Sequence, residues 1–312
     1  MDKVGILEAD NFSKEAIAFL RKRFEVELFS GGNATDFVCD KTALFIRLGY
    51  LIDDVFLENA HKLKYICTPT TGLNHIKTTQ EINIISLKGE TELLSTIRAT
   101  PEHTFGLSLA LLRNYSKAFL NTYNHTWDRN LYRGEEIYEN KVGIIGYGRV
   151  GKILGRYCKC FGARVYYYDV NQNLENQDRI AVPVATIEEL CKKANIIFLC
   201  ASYSKEYDSF LERSFFSLLE GKYFINTSRG ELVDEDAFID FIEKGSYKGI
   251  AFDVIANETS DNHLNRFLKA AENKNVIITP HIAGATYNSM HKTEEFIAKK
   301  FCELYEMQKK NG

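Results

Sequence analysis

The chain has 312 residues, enough for about two domains, with 45% apolar and 26% charged residues and a net charge of −3. This is an ordinary globular balance, and it lacks the basic excess that a nucleic-acid partner requires. No apolar run approaches the roughly 18 residues of a membrane span, and Met1–Glu8 has too short an apolar core for a signal peptide. The expected setting is therefore cytoplasmic, with no membrane partner. Seven cysteines, scattered without CxxC or metal-type spacing, predict free thiols in a reducing compartment and no metal. Cys158 and Cys160 sit two apart on one predicted helix and face apart, which suits packing better than ligation.

Residues 1–95 alternate short strand-like runs with helical ones. Val4–Leu7, Glu25–Phe29, Ala43–Ile46, Lys64–Cys67 and Asn83–Ile85 read as strands, and Lys14–Arg23 and Asp53–Ala60 as helices. That alternation predicts a small parallel α/β sheet. A longer helix begins at Thr100, with threonine as N-cap, Pro101 at the first helical position and Glu102 in the first turn. Its dense apolar run, Phe105–Leu112, predicts a buried helix at the hinge between two domains. Residues 121–140, with Trp127, Tyr132 and Gly134, read as an irregular arm.

The apolar run Val142–Ile145 then breaks into Gly146-x-Gly148-x-x-Gly151, and a helical pattern follows to Cys160. Gly146 suits a tight turn, Gly148 a close approach of backbone to a pyrophosphate, and Gly151 the packing of helix on strand. The helix N-terminus, with Arg149 and Val150 in its first turn, offers N–H groups and a positive dipole end to an anion. A second strand, Arg164–Tyr168, ends on Asp169, which lies 169 − 151 = 18 residues past the third glycine. An acid about 20 residues on hydrogen-bonds the adenosine ribose hydroxyls. No arginine stands at 170–173 to meet a 2′-phosphate, so the cofactor is NAD rather than NADP.

Six strand candidates follow from 142 onward: Val142–Ile145, Val165–Tyr168, Ile196–Leu199, Tyr223–Ile225, Ile250–Phe252 and Val276–Ile278. Two mononucleotide-binding halves need six. Helices Ile187–Lys193 and Glu235–Lys244 lie between them, the latter capped by Asp234 and closed by Gly245. A last helix, Ser289–Met307, is predicted to return to the first domain. The expected fold is α/β, with two doubly wound parallel-sheet domains. A Rossmann cofactor domain, 101–282, is inserted in a smaller flavodoxin-like substrate domain, 1–100 with 283–312.

Three polar residues follow late strands, where an open α/β sheet places its ligands. Arg229 closes Asn226-Thr-Ser-Arg-Gly230, Glu258 lies in the loop after the next strand, and His281 follows Thr279-Pro280 after the last. Singly, each reads as loop polarity. Together beside a nicotinamide they supply what carbonyl reduction needs: a carboxylate holder, a proton donor and a group to orient that donor.

At these residues the sequence resembles the D-isomer-specific 2-hydroxyacid dehydrogenase family, particularly its phosphoglycerate dehydrogenase-like members. The resemblance covers nearly the full chain. It rests on Gly146–Gly151 with Asp169, on the segments 226–236 and 249–254, and on Thr279-Pro-His-Ile-Ala-Gly-Ala-Thr286. It implies an NAD-dependent oxidoreductase that interconverts a D-2-hydroxy acid and its 2-oxo acid, of phosphoglycerate or glycerate type, working as a homodimer. By the resemblance Arg229, Glu258 and His281 are catalytic, Thr227 and Asp253 contact the cofactor, and Asp253 bonds the nicotinamide amide. Thr70-Thr-Gly-Leu-Asn74 matches the family loop that binds the substrate carboxylate, so Thr71 and Gly72 carry over, and Arg47 as a substrate-facing side chain. Three segments depart from the family pattern: Cys200-Ala-Ser202 replaces His-x-Pro, the loop after Asp253 keeps its acid without prolines, and Asn74-His75 replaces Asp-Asn. Two other readings fit the same residues, an NAD-sensing corepressor-like protein and a phosphite-type dehydrogenase.

Overall fold

The computed structural model describes residues 1–171, 179–256, 258 and 261–311. Gln172 and Asn173, used above for cofactor choice, and Asn257 and Thr259 of the Glu258 loop lie outside the described residues. The chain runs β1 (Lys3–Ile6), α1 (Lys14–Arg21), β2 (Glu25–Leu28), α2 (Ala34–Val38), β3 (Ala43–Phe45), β4 (Ile52–Asp53), β5 (Tyr65–Cys67), β6 (Ile76–Lys77), β7 (Asn83–Ile85) and α3 (Thr91–Ser95). It continues with α4 (Ala99–Leu112), α5 (Tyr115–Tyr123), β8 (Lys141–Ile145), α6 (Arg149–Cys160), β9 (Arg164–Tyr168), β10 (Ala181–Pro183), α7 (Ile187–Lys193), β11 (Ile196–Leu199), α8 (Arg213–Ser217) and β12 (Tyr223–Asn226). The last elements are α9 (Glu235–Lys244), β13 (Gly249–Phe252), α10 (Asp261–Ala271), β14 (Val276–Ile278) and α11 (Tyr287–Asn311). Two compact units result, Met1–Ile97 with Ala285–Gly312, and Arg98–Gly284.

The first unit holds a five-stranded parallel sheet of order β2-β1-β3-β5-β7, the flavodoxin-like order 2-1-3-4-5. Helices α1 and α11 cover one face, where Ile17, Leu20, Phe24 and Phe301 are buried with Phe45. The segment expected as a helix at Asp53–Ala60 is instead β4, paired with β6, followed by turns. Asp53 accepts from Phe56 N at 2.8 Å, an N-cap contact, but the residues after it form turns and no helix.

The second unit holds seven parallel strands in the order β10-β9-β8-β11-β12-β13-β14. The six expected strands are present, and β10 is an addition the sequence pattern did not reveal. It is three residues long, two of them exposed, and ends on Pro183, the character of an edge strand. The central strands are apolar on both faces. In β11, Ile196 and Phe198 enter one core layer while Ile197 and Leu199 enter the other. Each such fully buried side chain stabilises the unit by roughly 1.5–3 kcal/mol relative to exposure. Asn226 pairs with Phe252, and Phe252 with Ile278, so β12, β13 and β14 end level with one another. That register places the three following loops side by side.

Helix α4 starts at Ala99, so Pro101 stands in its first turn rather than at its first position. The arm after it contains α5 and a short 3₁₀ turn at Arg129–Tyr132. None of the seven cysteines is paired. No helix among the described residues is long and apolar enough to cross a membrane.

Candidate active site

The candidate cofactor cradle is built at β8 and α6. Gly146 has φ +89°, and a Cβ there would stand 2.5 Å from the backbone of Ala201. Gly148 caps α6 without a side-chain hydrogen bond and has open space where a Cβ would project. A Cβ on Gly151 would meet Gly146 O at 2.3 Å, so helix and turn touch backbone to backbone. Burial, with Arg98 beside it, holds the Arg149 guanidinium below its usual range. Two arginine charges near one helix N-terminus are relieved by an anion, which suits a pyrophosphate. At the end of β9, Asp169 accepts from Tyr147 N at 2.7 Å and Asn171 N at 2.9 Å. Those bonds lock the acid against the glycine turn, with acceptor capacity left for ribose hydroxyls. Open backbone, positive helix end and fixed carboxylate fit a dinucleotide.

The loop Cys200–Ser202 borders this cradle, since Ala201 faces Gly146 and accepts a hydrogen bond from the Ser228 hydroxyl. Burial pushes the Cys200 thiol up to about 12, so it is a neutral group at physiological pH.

The three catalytic candidates follow β12, β13 and β14. Asn226, itself buried, brackets the first loop: its amide donates to Arg229 O at 3.1 Å and its oxygen accepts from Ser228 N at 3.0 Å. Arg229 donates through Nη1 to Ser228 O at 2.7 Å, its one side-chain hydrogen bond among the described residues. Gly230 packs against the backbone of Ile255 and Ala256, the start of the Glu258 loop. Glu258 Oε2 lies 2.7 Å from His281 Nδ1. Nε2 of His281 has no partner within the described residues and is the nitrogen left for a substrate.

His281 sits at φ +52°, a left-handed conformation that a histidine adopts at a cost of about 1–3 kcal/mol. Asp253, 1% exposed, holds it there. Its backbone carbonyl accepts from His281 N at 2.8 Å, Oδ1 from Ile282 N at 2.9 Å and Oδ2 from Ala283 N at 2.8 Å. Burial alone raises this carboxyl, but hydrogen bonds from His103, Thr279, Ala283 and Ile282 outweigh it and hold Asp253 below the usual carboxylate range. The nicotinamide role expected for Asp253 therefore competes with three bonds that its carboxylate and carbonyl already make to the histidine turn. Thr227 is also engaged, through a 2.6 Å contact to Thr104 Oγ1. His103 and Thr104 escaped the sequence reading, because nothing in an apolar helix marks two polar residues as reaching other loops.

In the first unit, the backbone N–H groups of Thr71 and Gly72 meet no acceptor among the described residues, while Thr70 Oγ1 donates to Gly72 O at 2.8 Å and shapes the loop. Arg47, expected to face substrate, is placed differently. Its Nε and Nη2 donate to Glu294 Oε1 at 2.8 and 2.6 Å, and Nη1 to Asp10 O at 2.9 Å. Glu294 is fully buried, so Arg47 compensates an interior charge and ties α11 into its unit.

Residues 105–283 match the family model described as "D-isomer specific 2-hydroxyacid dehydrogenase, NAD binding domain". The chain belongs to the D-isomer specific 2-hydroxyacid dehydrogenase family and is an NAD-dependent enzyme of that class. It is 27% identical to a glyoxylate reductase of Thermococcus gammatolerans over 301 residues, 92% of this chain and 88% of that one. It is 25% identical to the D-3-phosphoglycerate dehydrogenase of Mycobacterium leprae, covering 96% of this chain but 56% of the relative. The fold matches the D-lactate dehydrogenase of Aquifex aeolicus, solved with NAD and lactic acid, at TM-score 0.79 and 23% identity over 98% of this chain and 96% of that one.

Proposed function

We propose that the substrate is a small unphosphorylated 2-oxo acid of glyoxylate or hydroxypyruvate size, reduced to its 2-hydroxy acid, the D isomer where C2 becomes a stereocentre. NAD, when bound, supplies the capacity to give or take a hydride at the substrate's C2. His281 handles the proton. With Nδ1 against Glu258, the neutral ring keeps its hydrogen on Nδ1 and presents a bare Nε2 to accept a hydroxyl proton. In reduction the protonated ring donates from Nε2 to the carbonyl oxygen. Glu258 fixes that tautomer and stabilises the imidazolium, the orienting role of a carboxylate behind a histidine. Arg229 offers a planar fork to carboxylate and carbonyl oxygens. The observation that carries the catalytic reading is the 2.7 Å His281–Glu258 pair beside Arg229 on neighbouring strand ends.

The substrate reading rests on Arg47, whose guanidinium is committed to Glu294 and thus withdrawn from phosphate binding. The similarity to phosphoglycerate dehydrogenases favours the phosphorylated alternative. The test is NADH oxidation with glyoxylate, hydroxypyruvate, its 3-phosphate, pyruvate and branched 2-oxo acids. Hydroxypyruvate or glyoxylate should exceed the 3-phosphate at least tenfold in kcat/KM, about 1.4 kcal/mol. A preference for the 3-phosphate defeats the substrate reading, and no turnover on any acid favours the NAD-sensing alternative. We also assign the exposed surface of Phe119, Leu120, Tyr123, Trp127 and Leu131 to contact between two copies of the chain, since Trp127 is 92% exposed and apolar patches of this kind mark interfaces.

A further inference from the structure

Two consecutive residues of α4 reach the two loops that flank the catalytic set. His103 Nε2 lies 3.2 Å from Thr279 Oγ1 and 3.5 Å from Asp253 Oδ1. Thr104 Oγ1 lies 2.6 Å from Thr227 Oγ1, and both threonines are buried. The first contact ends on the turn that holds His281, the second two residues before Arg229. We propose that His103 and Thr104 are positioning residues that set the spacing between His281 and Arg229. This inference rests on the catalytic roles proposed above for those two residues.

The hydrogen-bond directions follow from counting protons. The Thr279 hydroxyl donates to Asp253 Oδ1, so its only proton is spent and His103 must donate to it from an Nε2–H. His103 thereby braces the group whose three acceptor contacts keep His281 in its left-handed backbone. Thr104 donates to Thr100 O at 2.7 Å within its own helix, so Thr227 must donate to Thr104. The loop carrying Arg229 is thus pinned to a side chain whose rotamer the helix already fixes.

The topology explains why one helix serves both loops. β12 and β14 are separated by β13, so their ends stand about 9.6 Å apart, two strand spacings. Successive helix residues project about 100° apart, so neighbours at 103 and 104 diverge enough to touch loops at that separation. A rigid turn of helix then sets the distance between carboxylate holder and proton donor, to which catalysis is sensitive at the 1 Å level.

The test uses the full chain with His103→Leu, His103→Gln, Thr104→Val and Thr104→Ser. Glutamine places an amide N–H near the depth of Nε2, and serine keeps the hydroxyl. The readouts are kcat and KM on the best 2-oxo acid, NADH binding by fluorescence, and the ring NMR signal of His281, identified by its loss in His281→Gln. Losing one hydrogen bond should change the affected parameter about 3- to 10-fold. His103→Leu should lower kcat and displace the His281 ring signal with KM little changed. Thr104→Val should raise KM and leave that signal in place, and both conservative variants should recover to within about twofold, with NADH affinity constant throughout. Uniform loss of kcat and KM in step with thermal stability, or an unmoved His281 signal in His103→Leu, overturns the proposal. If the wild type reduces no 2-oxo acid, the functional reading fails separately. The His281 signal, with oxamate binding to the NADH complex for Thr104→Val, still decides the positioning claim.

Discussion

Gly230→Ala is the sharpest perturbation this site offers, because it adds one methyl group where two loops touch. A Cβ at 230 would stand 2.0 Å from Ile255 C, 2.2 Å from Ala256 N and 2.5 Å from Ile255 O, where ordinary contact begins at 3.4 Å. Relief requires a displacement of 3.4 − 2.0 = 1.4 Å, and the neighbour is backbone, which cannot rotate away. Ile255 and Ala256 lead directly to Glu258, so a shift there carries the carboxylate from its 2.7 Å contact with His281 towards about 4 Å, beyond hydrogen-bond range. A charged hydrogen bond of this kind contributes about 1.5–3 kcal/mol, and a 1 Å misplacement costs about 100-fold in rate. The expected outcome is a fall in kcat/KM of roughly 10- to 150-fold on the best 2-oxo acid, measured by NADH absorbance. NADH affinity should stay within about twofold, because the cradle at Gly146–Gly151 does not touch this contact. A variant retaining kcat/KM within threefold would show that the 230–255 approach does not control Glu258.

Arg229→Lys keeps the charge and loses the fork, so kcat/KM should drop about 30- to 1000-fold, roughly 2–4 kcal/mol, with NADH binding unchanged. Near wild-type turnover would remove Arg229 from the catalytic set. Asp253 is held below its ordinary value of 3.8, so its stabilisation is present above that value and is lost as pH falls through the lower folded value. Asp253→Asn should therefore be less stable than wild type by about 1–3 kcal/mol at pH 7 in urea unfolding, with the gap closing as pH falls below 3.8 and through the lower folded value. A gap independent of pH would mean that the carboxylate charge is immaterial. Trp127→Glu should weaken self-association by at least about 30-fold, read by sedimentation, and a wild type that sediments as a monomer rejects the arm as an interface.

The candidate cofactor cradle could be read from the chain because every part of it is local. Gly146, Gly148 and Gly151 act through backbone geometry within one turn, and Asp169 lies at the end of the next strand. The strand ends bearing Arg229, Glu258 and His281 were equally legible, since apolar runs of three residues followed by polar loops locate parallel strands. Two further features depended on distant partners. Arg47 was expected to face substrate, and its contact with Glu294 spans 247 residues of sequence that no local pattern connects. Nothing in the sequence beside His103 and Thr104 points to Thr279 and Thr227, 176 and 123 residues away, which folding brings against them. Backbone conformation and hydrophobic period are short-range properties and are written in neighbouring residues. The partner of a buried polar side chain is chosen by tertiary packing, and that choice decided which charges here are structural and which remain available for chemistry.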